Sequence, residues 1–511
     1  MLVRVRSRRP RRPAFVLLTV LLVVVILSLA AYQYAELMTT EARAQNRIQN
    51  ASQTRGIADS GIHYAMAALA TPATIASELS GNPWSNPDRF QAQALGDGNL
   101  KFSILAIDDS QQAATGSFTT RYGVTDESGK IDLNALMQID KTGKIAHDVL
   151  IELGLTEDDA NSIVDWIDTD EDSRSGGAES QYYSALSPPY RARNGPLDSI
   201  EELLFVKGIT PDKLFGNDRN RNGKIDPDDT AGSATLDRGL LPYLTIYSRE
   251  SNTDSTGAPR VNINDTSLTA LNSSLQTEVG QEMADYILAY RVLTVSPAGT
   301  AIPKDGKIGA AADLATPLQA KLSGGQPRTI ASILSMIGTS IVLAPTDRNQ
   351  PTVYVPCPLN DPGLLRTLLP TLFDKCTTSK ETVLPGRINI NTAPQAVLEA
   401  LTVIDPLLTD ADISTILDRR PATNSTDAVD PVYNTPAWLL TEANIKPTVL
   451  LALENYITCK TQVYRVQSVG FADGGPSFTR VEAVIDANNG RPRILYYRDL
   501  SELGRAFDPK E

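Results

Sequence analysis

Two groups of oxygen-bearing side chains stand out in this 511-residue chain, and both suit a hard cation. The first is the run Asp218-Arg219-Asn220-Arg221-Asn222-Gly223-Lys224-Ile225-Asp226-Pro227-Asp228-Asp229. Asp218, Asn220, Asn222, Asp226 and Asp229 fall where an EF-hand-like loop supplies its oxygens, Lys224 offers a carbonyl, and Gly223 sits at the sharp turn. Calcium takes about six to eight oxygens around such a turn, so the spacing predicts a structural Ca2+ clip. Asp229 is shorter than the usual closing Glu, which weakens two-oxygen closure. The bland alternative is an acidic surface loop. The second group is Asp165, Asp168, Asp170, Glu171, Asp172 and Glu179. It is a second candidate metal cluster, weighed against a solvated loop with Asp and Ser turn chemistry.

Equipment for catalysis is sparse. There are two histidines, His63 and His147, each placed in a helical stretch. The chain has no H-E-x-x-H, no G-x-x-x-x-G-K-[ST] and no C-x-x-C. No enzyme activity and no catalytic residue is expected. Cys357 and Cys376 lie in one loop-like region and could pair in an oxidising compartment; three unpaired thiols, Cys459 included, are the equal alternative. The net charge is -13, and six of the arginines lie within residues 1–14, so the remainder is more acidic still. Such a surface repels nucleic acid and anionic lipid headgroups.

The elements that must position these groups begin with a membrane segment. Arg4, Arg6, Arg8, Arg9, Arg11 and Arg12 precede an apolar run from Phe15, and no charge appears between Arg12 and Glu36. The run is long enough to cross a bilayer, with its arginines cytoplasmic and the body on the far side. Three readings compete: a cleaved signal peptide ending near Ala30, a plain anchor, or a short basic leader removed between Ala14 and Phe15. No proline interrupts residues 14–71, and Ile48, Ala51, Ala58, Ile62, Ala65 and Leu69 recur near helical spacing. One long helix should therefore leave the membrane and lay this stripe on a soluble domain.

Residues 72–97 read as loop. Strand-like runs follow at 100–108 and 117–125, and again at 462–470, 478–486 and 493–498. Between them lies a stretch that is mostly helix and loop in pattern, built on a degenerate repeat. Its openers are Gly129-Lys130-Ile131-Asp132-Leu133-Asn134-Ala135, Arg260-Val261-Asn262-Ile263-Asn264-Asp265-Thr266 and Gly386-Arg387-Ile388-Asn389-Ile390-Asn391-Thr392-Ala393. Each is followed by helices, at 158–166, 281–291 and 410–419, and by a closing segment, at 199–208, 329–338 and 435–445.

These pieces resemble the K-type minor pseudopilin of type II secretion systems (general secretion pathway protein K). The resemblance rests on the leader and Phe15-initiated anchor, on Val124 to Asn134, on Asp165-Trp166-Ile167-Asp168-Thr169-Asp170, on Gly177-Ala178-Glu179, and on Asn194-Gly195-Pro196-Leu197-Asp198-Ser199. It covers the N-terminal half well and the third repeat fairly, whereas residues 210–385 match poorly. It implies an α+β, pilin-like fold: a long N-terminal helix and a small antiparallel β-sheet, with a large inserted helical domain of helix-hairpin-helix-like repeats. The expected division is a leader (1–14), a transmembrane part (15–36) and a periplasmic part (37–71) of one helix. A first β region (72–128), an inserted domain (129–458) and C-terminal strands (459–511) follow. The insert would hold repeats at 129–216, 260–338 and 386–447, with the Ca2+ loop as linker (217–230).

The resemblance also implies a place at the tip of a periplasmic pseudopilus, anchored in the inner membrane by a single pass. Implied partners are the other minor pseudopilins (I and J types), the inner-membrane assembly platform, the prepilin peptidase and membrane lipid. Calcium in the soluble part is implied as well. Two residues depart from general pilins. Ala14 stands for the usual Gly before the cleavage point, and Thr19 stands for the Glu at the fifth mature position, as is common in K-type members. The alternative function is a membrane-tethered DNA-binding or DNA-uptake protein using hairpins such as Leu203 to Ile209. Acidic neighbours (Glu201, Glu202, Asp212) speak against nucleic acid as a ligand.

Overall fold

The computed structural model describes residues 13–96, 98–112, 116–226, 229, 235–322, 326–345, 347, 350–473 and 477–505. The leader residues 1–12 lie outside the described residues. Helix α1 (Pro13–Ala68) is continuous, about 84 Å at 1.5 Å per residue. It ends before Thr71, whose side chain caps the next helix (Pro72–Glu78) in a reciprocal pair with Thr74. Residues 72–97 are thus not simply the expected loop: they hold this helix, a turn of helix at Pro87–Phe90 and a strand at Gln93–Leu95, since Pro72 and Pro87 open helices where a missing N–H costs nothing.

Residues 15–53 of α1 are exposed along every face. Burial starts at Thr54 and recurs at Ile57, Ala58, Ile62, Ala65, Ala68 and Leu69. The expected stripe is therefore correct from Ala58 onward, while Ile48 is 71% exposed and Ala51 is exposed too. The helix outruns the sheet it packs on, so those two positions have nothing to cover them.

That sheet has seven antiparallel strands. They are β1 (Gln93–Leu95), β2 (Leu100–Gln112), β3 (Phe118–Arg121), β4 (Thr125–Asp126), β5 (Val463–Ala472), β6 (Phe478–Asp486) and β7 (Arg493–Asp499). The order is β1-β2-β5-β6-β7, with β3 against the far half of β2 and β4 against the start of β5. Strands from the two ends of the chain thus lie side by side, Leu105 facing Gln467 and Phe102 facing Gly470. The helix crosses this seam closely because two glycines allow it. A Cβ at Gly470 would stand 2.2 Å from the Thr54 carbonyl oxygen, and one at Gly61 would stand 2.2 Å from Ser468 Oγ. The apolar layer between them holds Ile62, Leu69, Phe90, Phe102, Val466 and Ile485.

The chain leaves the sheet at Asp126, which faces Tyr464 where the chain returns. The described residues between form a mainly helical body around one continuous apolar core. The three openers occupy equivalent places. Ile131–Asp132, Val261–Asn262 and Ile388–Asn389 each form a two-residue parallel pair, with Leu244–Thr245, Cys376–Thr377 and Ile457–Thr458 respectively. Helices follow at Glu157–Ile167, Gln281–Val292 and Asp410–Arg419, and tight 3-10 turns or short helices close each copy.

One feature escapes the sequence pattern. A four-stranded sheet lies within residues 294–356, in the order Lys307–Ile308, Val353–Pro356, Ser340–Leu343 and Thr294–Ser296. Its strands are too short to display an alternation of period two. The three thiols are free, with Cys357 and Cys376 buried; of the two alternatives left open, the unpaired one describes this structure. Burial pushes both buried thiols up to about 12, which makes them poor nucleophiles.

Candidate metal centre

The acidic cluster is assembled by a helix end and a loop that folds back over it. Thr156 caps the helix Glu157–Ile167 in a reciprocal pair with Asp159. Asp165 lies in its last turn, Asp168 ends it, and Glu179 opens the next short helix, Ser180–Ser184. The return loop needs two glycines. Gly176 has φ +74°, and a Cβ at Gly177 would stand 2.0 Å from Asp165 Oδ2. One carboxylate oxygen from each of Asp165, Asp168 and Glu179 lies within 4.8 Å of the others. All three are buried, at 0%, 7% and 4% exposure.

Their hydrogen bonds are unequal. Asp165 accepts from the Arg174 backbone N–H, at 3.1 and 3.3 Å, and from Arg174 NH1 at 2.7 Å. Asp168 accepts from the same NH1 through Oδ2, while its Oδ1 has no partner. Both oxygens of Glu179 are buried without a partner. A buried carboxylate without donors is expensive unless it is protonated or meets a cation. Burial, then the charges of Asp165 and Asp168, push Glu179 up to about 8. Burial also raises Asp168, against the pull of Arg174. The three carboxylates carry more negative charge than Arg174 can balance, and their oxygens are of the kind that could hold a hard cation.

Asp170 and Glu171 stand apart from this trio. Both are exposed; Asp170 Oδ1 accepts from the Asp172 N–H, and Glu171 Oε1 accepts from Ser180 Oγ and Asn194 Nδ2.

The loop from Asp218 closes on itself. Asp218, 2% exposed, accepts from the N–H groups of Asn222 (3.0 Å) and Gly223 (2.9 Å), and Arg238 Nε lies 3.6 Å away. Asn220 and Asn222 both donate through Nδ2 to Asp226 Oδ2. Asp229 accepts from the N–H groups of Asp226 (2.7 Å) and Arg219 (3.2 Å), and the Lys224 N–H donates to Asn222 Oδ1 at 2.6 Å. A cation entering here must turn those two amides so that oxygen, not nitrogen, points inward. The loop is docked on the sheet. Arg480 of β6, fully buried, donates to the carbonyls of Asn220 and Arg221 at 2.7 Å each. The Phe118 N–H donates to the Gly223 carbonyl at 2.7 Å.

At the other end of the molecule, Ala14 and Phe15 lie in the first turn of α1, and Phe15 is 74% exposed. Thr19 Oγ1 donates back to the carbonyls of Phe15 and Val16, so the hydroxyl is satisfied within the helix. The apolar part of α1 is long and apolar enough to cross a membrane. The hairpin glycine Gly208 has φ +83°, and a Cβ there would stand 2.2 Å from Asp159 Oδ1, so a carboxylate lies against that turn.

Sequence reasoning missed Arg174, the internal cation of the acid trio, and Arg480, the anchor of the loop. Arg174 could have been suspected as the basic residue between Asp172 and Glu179. Arg480 is some 260 residues from its partners and carries no local signal.

Fold and site together define a mixed α/β protein with one long N-terminal helix and a helical repeat body inserted into its sheet. Over the segment that holds the acid trio, the resemblance seen in the sequence is borne out: residues 129–214 match the family Type II secretion system (T2SS), protein K. The putative type II secretion system protein K of Escherichia coli (strain K12) is 32% identical over 104 residues, covering 18% of this chain and 32% of that protein. The type II secretion system protein K of Pectobacterium carotovorum subsp. carotovorum is 30% identical over 145 residues, covering 26% of this chain and 38% of that protein. The matched part thus spans about a third of the length of these relatives. Among solved structures, a chain of the GspK-GspI-GspJ complex from the enterotoxigenic Escherichia coli type 2 secretion system is 13% identical. The match covers 90% of this chain and 99% of that one, with a TM-score of 0.37.

Proposed function

We propose that this chain is a K-type minor pseudopilin that nucleates or caps the type II secretion pseudopilus. The observation that carries the reading is the protein K match over residues 129–214, in a body joined to a helix, Pro13–Ala68, that carries no charge before Glu36. In this reading the sheet and α1 are the pilin-like part, inserted repeats stand above them, and the body is periplasmic. The 39 exposed positions of α1, residues 15–53, are surface for lipid and for the helices of the I- and J-type pseudopilins. Thr19 offers no carboxylate to a neighbouring N-terminal ammonium, which suits a subunit that ends a filament rather than extends it.

Calcium belongs to the same proposal, in a structural role. The unpartnered oxygens of Glu179 and Asp168 favour the Asp165–Asp168–Glu179 trio as its principal site. The loop of Asp218, Asn220, Asn222, Lys224, Asp226 and Asp229 is a second, which would tie the insert to the sheet through Arg480. A bound cation would supply the positive charge that these oxygens lack. The DNA-binding alternative has the charge of the body against it, and Asp159 occupies the hairpin turn where a phosphate would have to sit.

The test is the mature N-terminus of the protein purified from native membranes, read by intact-mass spectrometry. A terminus at Phe15, with co-purifying pilin-like subunits, is expected. A terminus near Ala31 would make the chain a released secretory protein and end the tip model.

A further inference from the structure

The acid trio already carries a cation of the chain's own. Arg174 NH1 is shared between Asp165 Oδ1 (2.7 Å) and Asp168 Oδ2, so it stands between two of the three carboxylates that would ligate a metal. Glu179 receives nothing from it and keeps both oxygens buried and unpartnered. One guanidinium therefore faces three carboxylates and neutralises only part of them.

The guanidinium is the solvent-facing member of the group. Its side chain is 28% exposed, against 0% and 6% for those of Asp165 and Asp168. Its other hydrogen bond, Nη2 to the Thr142 carbonyl at 2.9 Å, ends on a residue exposed at the surface. The loop itself is held independently. The Arg174 backbone N–H stays on Asp165, and Lys207 Nζ donates to the carbonyls of Gly176 (2.8 Å) and Gly177 (3.3 Å). Displacing the side chain need not displace the ligands.

We propose that Arg174 is a built-in competitor for the divalent cation of the Asp165–Asp168–Glu179 centre. In the metal-free protein it holds Asp165 and Asp168 in place. A divalent ion at the trio would lie within a few ångströms of the guanidinium, and the like charges repel strongly in this buried setting. Binding therefore expels Arg174 toward solvent, and the lost ion pairs lower the affinity of the site. The arrangement trades tightness for a centre that stays folded when metal is scarce. This rests on the metal reading above.

Calcium titration calorimetry on the full chain in detergent tests it, with Asp229→Asn in every sample to weaken the second loop. Arg174→Gln should bind calcium about tenfold tighter than the parent, and should show a larger calcium-induced rise in melting temperature. Arg174→Lys, a point charge that cannot span both carboxylates as the fork does, should fall between the two. Glu179→Gln should lose the titration. If Arg174→Gln and Arg174→Lys bind no tighter than the parent while Glu179→Gln still abolishes binding, the competitor proposal is overturned and the metal reading survives. If the parent and all variants fail to bind, both are overturned.

Discussion

Asn134 and Leu197, 63 residues apart, exchange two hydrogen bonds: the Asn134 amide donates to the Leu197 carbonyl at 3.0 Å and accepts from the Leu197 N–H at 2.8 Å. Asn264 does the same with Ile330, donating at 2.9 Å and accepting at 2.8 Å. Asn391 donates to the Tyr433 carbonyl at 2.8 Å. The last asparagine of each opener thus clasps the start of its copy's closing segment, as a side-chain imitation of a β-bridge.

Replacing Asn134 by Ala leaves a half-buried N–H and carbonyl without partners. The expected cost is about 1–3 kcal/mol, read as a lower denaturant midpoint with an unchanged slope. Asn264→Ala should cost a similar amount. A change below a few tenths of a kcal/mol at both sites would show that the clasp is incidental.

Gly470→Ala drives a methyl group into the Thr54 carbonyl and the Ala58 N–H of α1, at 2.2 and 2.6 Å. Backbone atoms cannot yield as a side chain can, so a loss of about 1–3 kcal/mol is expected. Limited proteolysis should then cut α1 near its emergence from the sheet, before the helical insert is attacked.

Glu250 joins copies two and three. It accepts from Arg260, Arg387 and Thr458 and is almost fully buried. Burial pushes its acidity the wrong way, but Arg387 and Arg260 overcome this and bring it down to about 2 from an ordinary 4.5. The folded state therefore binds this proton less readily than the unfolded one. The stabilisation is fully present above pH about 4.5 and is lost as pH falls through about 2. Glu250→Gln should cost about 3 kcal/mol at neutral pH, because two buried guanidinium groups lose their counter-charge. The gap between variant and parent should close as the pH of the denaturation series falls below about 4.

Glu179→Gln should act oppositely in the absence of metal. Burial, then the charges of Asp165 and Asp168, hold the folded Glu179 carboxyl protonated up to about pH 8 against an ordinary 4.5. The metal-free parent therefore loses stability as pH rises from about 4.5 to about 8 whereas the amide does not, and the variant's advantage should grow through that window and level off above it. Thermal melts in chelator across pH 6–9 check this. A variant no more stable than its parent at the alkaline end would contradict the buried-charge account of this site.

Local pattern carried much of the architecture. The uncharged run after Arg12, the Ala58–Leu69 stripe, the long strands at both ends of the chain and the Ile/Asn openers are all visible because each repeats with its own short period. The two cation candidates were legible as residue types too. Spacing favoured the Asp218–Asp229 loop, and it could not show that Glu179 and Asp168 of the other cluster keep buried oxygens without a partner.

Neighbouring residues were enough to foretell a membrane-length helix, the long strands at both ends, three helical copies and two oxygen-rich loops, but neither the short elements within 72–97 nor the four-stranded sheet within 294–356. The foretold elements are set locally, by backbone preference and hydrophobic period. Only the tertiary structure decided which distant groups meet. It placed β2 beside β5, Asn134 on Leu197, Arg480 under the 218–229 loop, and Arg174 rather than any other cation among Asp165, Asp168 and Glu179. Such meetings depend on which surfaces the shared core brings together, and on burial that turns an ordinary carboxylate into one in need of a partner.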